Sequence, residues 1–180
     1  RRSILDAAAK VALEKGENKM LPKFRGKSIA DENKGEWVYG NLITDQTSAY
    51  ITDGDIAAYE DFISIEKWCS IDVNTVGQST GFKDQVGREI FEGDIIRTNS
   101  FACIVGFGRY NYFEDDEGSV IESTGFGFYL EYLNVTPATC SPFELDFVRN
   151  CKVLGNIYDN SLDLIMYAKS KQEKLNDTKI

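Results

Sequence analysis

From Phe24 onward the apolar residues of this chain come in short β-branched and aromatic runs, cut apart by glycines and by Asp/Asn clusters. Extended runs with that punctuation pair as antiparallel strands. The pattern predicts strands over 23–25, 37–43, 49–51, 63–66, 102–107, 110–113, 119–122, 126–133 and 152–158. In Glu36-Trp37-Val38-Tyr39-Gly40-Asn41-Leu42 the two-residue period of a strand puts Trp37, Tyr39 and Asn41 on one face and Val38 and Leu42 on the other. Both faces carry apolar side chains, so this strand is expected to be covered on both sides.

The two ends follow a helical pattern instead. Residues 3–15 join a Ser3 N-cap, Asp6 in the capping-box place and strong helix formers, and stop at Gly16. Residues 162–174 follow an Asn160 or Ser161 cap and carry Leu162, Ile165 and Met166 on one stripe. A helical arm over 1–19 and a C-terminal helix over 161–180 are the expectation.

Composition decides what such a chain can do. At 180 residues and 42% hydrophobic content it can bury a core without disulfides or metal. It has no apolar run of about 18 residues and no export-type leader, which predicts a cytoplasmic protein with no membrane contact. With 29 acidic residues to 20 basic and a formal charge of -9, long-range attraction to phosphates is unfavourable. Nucleic acid would need a segregated basic stripe, for which Lys23, Arg25 and Lys27, or Arg97 and Arg109 beside Tyr110 and Tyr112, are the candidates.

Candidate chemistry thins out on the same reading. The chain has 0 histidines, which removes Ser-His-Asp and Cys-His nucleophile systems and the commonest general base. Cys69, Cys103, Cys140 and Cys151 contain no Cys-x-x-Cys pair and read as free buried thiols in preference to a zinc site. Glu114-Asp115-Asp116-Glu117-Gly118 lacks the alternating ligands of a calcium loop and reads as a solvated hairpin tip. Gly77, Gly81, Gly87 and Gly93 match no phosphate-loop spacing and read as turn glycines, with 83–87 a tight reversal. Glu89, Glu92 and Asp94 read as turn acceptors before a hydrolytic pair. The expectation is a protein with no catalytic residue, no cofactor and no metal, hence not an enzyme.

Lys23-Phe24-Arg25-Gly26, Gly35-Glu36-Trp37-Val38-Tyr39-Gly40, the segment from Thr75 to Gly81 with Lys83-Asp84, Glu89-Ile90-Phe91-Glu92-Gly93-Asp94-Ile95, and Val153 to Asn160 occur in that order. Together they resemble the YopX family of phage and prophage proteins over about residues 21–164. The resemblance implies a mainly β fold with an SH3-like barrel over 75–160, whose first long strand follows Gly93-Asp94, and a smaller N-terminal β-subdomain over 20–74. It implies a protein that oligomerises, and it implies no reaction. The family-motif positions, structural or interacting, are Phe24, Arg25, Gly26, Trp37, Tyr39, Gly40, Gly77, Gln78, Gly81, Asp84, Glu92, Gly93, Asp94, Gly155, Asn156 and Ile157. The first 19 residues and an insert-like stretch around 110–145 depart from the pattern. The expected function is that of an oligomeric protein-interaction module, binding itself and a phage or host protein. The alternative is a nucleic-acid-binding barrel acting in phage replication or regulation.

Overall fold

The computed structural model describes residues 21–45, 47–54, 56–98, 101–116, 118–133, 135 and 137–159. The helices expected at the two ends, with the cap at Asn160 or Ser161, lie outside the described residues. Within them the chain runs β1 (Phe24–Lys27), β2 (Trp37–Thr44), β3 (Ala49–Thr52), β4 (Ile56–Ala58), β5 (Ile63–Ile65), β6 (Cys69–Ile71), β7 (Gly77–Lys83) and β8 (Glu89–Phe91). It continues as β9 (Asp94–Arg97), β10 (Ala102–Asp116), β11 (Ser119–Tyr132), β12 (Cys140–Pro142), the short helix α1 (Leu145–Arg149) and β13 (Lys152–Asn156). The fold is mainly β.

The first sheet has six strands in the order β6-β3-β2-β1-β7-β8. Ala49, Ile51 and Ile71 form its buried centre, with Phe24, Val38, Leu42 and Val76 packed against them. An isolated Ser28–Ile71 bridge draws the β6 edge back towards the end of β1, helped by Asp72 N–H donating to the Lys27 carbonyl at 2.8 Å. The second sheet has five strands, β11-β12-β10-β9-β13. Its core is Ile96, Cys103, Val105, Leu130, Val148, Cys151 and Val153, joined by Ile90 from β8 of the first sheet. The two sheets therefore share apolar contact at β8. β4 and β5 pair with each other as a separate two-stranded sheet.

Three expectations change. Val38 and Leu42 face the core as the alternation requires, but the opposite face of β2 is only half covered, since Tyr39 is 42% exposed. The four short strands expected over 102–133 are two long ones of 15 and 14 residues, paired continuously from Cys103–Tyr132 to Asp116–Ser119. Gly106, Gly108, Gly125 and Gly127 lie inside these strands and do not end them. Gly106 lies under the Tyr129 ring and Gly125 under the Tyr110 ring, where an added Cβ would collide, and Tyr110 stacks on Tyr129 with centroids 5.0 Å apart.

The third change concerns the SH3-like barrel expected over 75–160. No sheet closes on itself among the described residues. β7, which follows residue 75, ladders onto β1 and carries β8 into the first sheet. β9 covers only Ala102 to Ile104 of β10, so the β10–β11 hairpin runs on past it as an arm.

Candidate functional site at the seam between the sheets

Arg25 sits on β1 with its side chain turned towards the second sheet and is 2% exposed. Its Nη1 lies 2.7 Å from Asp94 Oδ1 on β9, and Nη2 donates to the Glu92 carbonyl at 3.0 Å. The guanidinium is sandwiched between the Trp37 ring at 4.6 Å and the Phe91 ring at 5.0 Å, a placement that suits its weakly hydrated, planar charge. Among the described residues Nε of Arg25 has no hydrogen-bond partner. Burial raises the Asp94 carboxyl above its ordinary range, against the opposing pull of Arg25 and of the Phe91 amide that Asp94 Oδ2 accepts at 2.9 Å.

The turn between β8 and β9 makes this approach possible. Gly93 takes φ +80 against the Tyr158 ring, a left-handed conformation that favours glycine. Its N–H donates to the Val105 carbonyl at 2.8 Å and its carbonyl accepts from Ile157 N–H at 2.9 Å. An added Cβ at Gly77 would meet the Glu92 carbonyl, the group that Arg25 uses. Glu92 N–H in turn donates to the Gln78 carbonyl at 2.9 Å, and burial lifts the Glu92 carboxyl.

Further ties flank the ion pair. Asp159 accepts from Trp37 Nε1 at 2.9 Å and from Asn156 Nδ2 at 2.7 Å, and pairs with Lys27. Burial alone would raise this carboxyl, but Lys27, Trp37 and Asn156 outweigh it and hold Asp159 at about 2. Asn156 Oδ1 caps the turn by accepting the amides of Tyr158 and Asp159 at 2.9 and 3.1 Å. At the other end, Asp84 accepts the Val86 and Arg88 amides at 2.9 Å and the Val153 amide of β13 at 3.0 Å. Its carboxyl stays below the ordinary range, because those amides and Arg88 overcome the burial that would raise it.

Most of these residues lie in the ordered motifs, parts of which the fold brings together here. The sequence profile described as YopX protein matches residues 12–164. The chain belongs to the YopX family. The match begins at residue 12, so part of the N-terminal stretch set apart by the motif pattern lies inside it, as does the whole of 110–145. No curated protein matches this YopX chain significantly.

Of the motif positions, Arg25, Trp37, Gly77, Gln78, Glu92, Gly93, Asp94, Asn156 and Ile157 meet at the seam, and Asp84 ties its far end. Phe24 packs into the first-sheet core and Gly26 lies against Ile71 in the same core. Gly40 lies against the Thr52 carbonyl. Tyr39 packs on Phe91 at 5.5 Å, Gly155 sits at an irregularity of the β13–β9 ladder, and Gly81 is exposed in a turn-like φ of +76. Phe91, Tyr158 and Asp159 lie inside the quoted motifs without being among the motif positions, although an aromatic or an acid next to a turn glycine is the available signal.

The seam arranges these groups for cohesion. Its ionic partners bind each other, and the pair itself is closed off from solvent. Cys103 and Cys151 are free thiols in the second core, and burial pushes them up to about 12 and about 11, which leaves them protonated and poorly nucleophilic. Among the described residues no group of His, Cys, Asp and Glu is arranged to hold a metal ion. No helix among the described residues is long and apolar enough to cross a membrane.

Open clefts also occur among the described residues, and two of them differ sharply in lining. One, of about 290 Å³, is lined by Lys23, Arg25, Tyr39, Arg88, Glu89 and Phe91. The other, of about 420 Å³, is lined by Ile43, Tyr50, Ile63, Ile65 and Trp68. Sequence reasoning missed the second entirely.

Proposed function

We propose that this YopX chain is a phage-encoded, non-enzymatic protein-interaction module, acting in the host cytoplasm, that assembles with copies of itself. The observation that carries the reading is the aromatic ladder on the β10–β11 arm. Phe143 and Phe128 border the second core. Phe128 contacts Phe107 at 4.9 Å, and Phe107 contacts Phe126 at 5.7 Å. Phe126 is 78% exposed and Phe113, on the same face, 58%. A ladder of that kind, continuous with the core and open to water at its outer end, is the mark of a surface that is covered by a partner. The lack of any histidine and the protonated core thiols support the non-enzymatic half of the reading. On this reading the second sheet with β7 and β8 is an SH3-like barrel spread open at the Gly93 corner.

Sedimentation velocity at several concentrations tests it with the full chain and Phe126→Asp. A larger species that the substitution dissociates, with the melting temperature unchanged, is the expected result. A monomer at every concentration overturns the reading.

A second reading, nucleic-acid binding, has one observation in its favour: Lys23, Arg25 and Arg88 gather around the Tyr39 and Phe91 rings in an acidic protein. Lys23 is already paired with Glu89 at 2.6 Å, and Arg25 with Asp94, so little free positive charge remains. A salt-sensitive gel shift with single-stranded DNA, abolished by Arg88→Glu, would favour it.

A further inference from the structure

The cleft around Trp68 differs from the aromatic ladder in shape: it is a concave pocket set apart from the arm. Its floor is Ile43 and Tyr50 on β2 and β3, and its wall is Ile63 and Ile65 on β5. Trp68 closes one side, 60% exposed and edge-on to Tyr50 at 5.4 Å. A volume of about 420 Å³ falls in the range of preformed ligand pockets.

The cleft is held open by its frame. Thr52 Oγ1, at the end of β3, donates to the Lys67 carbonyl next to Trp68 and also receives Gly54 N–H at 3.4 Å. An added Cβ at Gly54 would meet Lys67, so the hairpin stem lies close against the end of β3. The hairpin itself pairs only β4 with β5 among the described residues, and Tyr59 stacks on Phe62 at its turn with centroids 4.6 Å apart.

Charge decides what fits. Between residues 45 and 68 the acids are Asp45, Asp53, Asp55, Glu60, Asp61 and Glu66 against Lys67 alone, a formal -5 out of the chain's -9. Asp45, Asp61 and Glu66 each lie within two residues of a lining side chain, and all three are exposed. A second copy meeting this face with its own would bring like charges together, which is costly. A nucleic acid is repelled in the same way.

We propose that this cleft is a docking site for a basic peptide segment of a partner protein, with a large apolar side chain seated between Tyr50, Ile63 and Trp68 and lysines or arginines on the acidic rim. The proposal rests on the interaction-module reading and specifies a partner for it at a face separate from the assembly ladder. Trp and Tyr in a preformed pocket are the usual anchors of such interfaces.

Fluorescence anisotropy on the full chain tests it with a short labelled peptide that sets leucine and tryptophan among lysines and arginines. The controls are the same peptide with glutamates in place of the bases and a lysine-only peptide. The basic apolar peptide is expected to bind, more weakly as salt rises, and Trp68→Ala is expected to weaken it by roughly tenfold or more, the scale of an aromatic anchor. Trp68 is mostly exposed, so the variant should melt where the parent does. Equal binding of the acidic peptide, or unaltered binding by Trp68→Ala, overturns the proposal. So does a Trp68→Ala chain that loses self-association while the peptide fails to bind, since the occupant is then a second copy. Absence of peptide binding with the assembly intact defeats this site and leaves the module reading standing. A monomer that still binds the peptide does the reverse.

Discussion

The seam and the β4–β5 hairpin are built from the same residue classes and treat them in opposite ways. At the seam, arginine, aspartates and aromatics are turned inwards onto one another: Arg25 and Asp94 are 2% and 0% exposed, and Trp37 and Phe91 close over the guanidinium. At the hairpin, Ile56, Tyr59, Phe62, Ile63 and Trp68 are 50% exposed or more, with acids between them. Buried charge demands complete pairing, so the seam tolerates little change. Exposed apolar groups constrain the fold hardly at all, and that leaves the hairpin free to be shaped by what it meets. Most of the motif positions quoted above are thus ones that hold the sheets together, while the surface proposed to meet a partner lies elsewhere.

The contrast breaks most visibly at the ion pair. Asp94→Leu is expected to cost roughly 3–5 kcal/mol in urea unfolding, because it leaves a buried guanidinium that cannot shed its proton. Arg25→Met should cost less, since the stranded carboxyl, already raised by burial, can take up a proton. Combining the two should recover much of the loss, because it removes both buried charges. Costs below about 1 kcal/mol for each single change would mean that the seam is no more constrained than the surface.

An intermediate effect is expected from acid. Asp159 is held at about 2 against an ordinary 3.8, so as pH falls from about 4 the unfolded chain takes up this proton first and stability drops until the folded carboxyl also titrates. Asp94 and Glu92, both raised by burial, bind their protons more tightly in the folded chain and act in the opposite sense as pH rises above the ordinary carboxyl range. Asp159→Asn should flatten the acid-side slope of the melting temperature. The Asp159 side chain is 37% exposed, and solvent screening keeps the change modest. An unaltered slope in that variant would remove Asp159 from the account.

The smallest effect belongs to the hairpin. Phe62→Ser, at a side chain 61% exposed, should move unfolding by no more than about 0.5 kcal/mol. A loss comparable to the seam variants would show the hairpin to be part of the core after all.

How far the sequence carries depends on the range of the interactions. The strand positions in the first sheet are readable from local alternation, as at Val38 and Leu42. Arg25, however, reads from sequence as available positive charge, and Asp94 as a turn acceptor. Their pairing spans the distance from β1 to β9, which no local pattern encodes. The glycines at 106, 108, 125 and 127 mislead for a different reason. They resemble turn punctuation, yet Gly108 pairs with Gly127 inside a continuous ladder and the other two seat tyrosine rings. The Trp68 cleft leaves little trace, because the hairpin that walls it has strands only three residues long and its apolar groups face outwards, where burial imposes no period.

The chain has 2 tryptophans, one in each of the regions compared. Trp37 is clamped by Asp159 beside Arg25 and Tyr158, whereas Trp68 faces water. Acrylamide should quench the emission of Trp68 first, so intrinsic fluorescence supplies two separable optical reporters, one following cohesion of the sheets and the other following occupancy of the cleft.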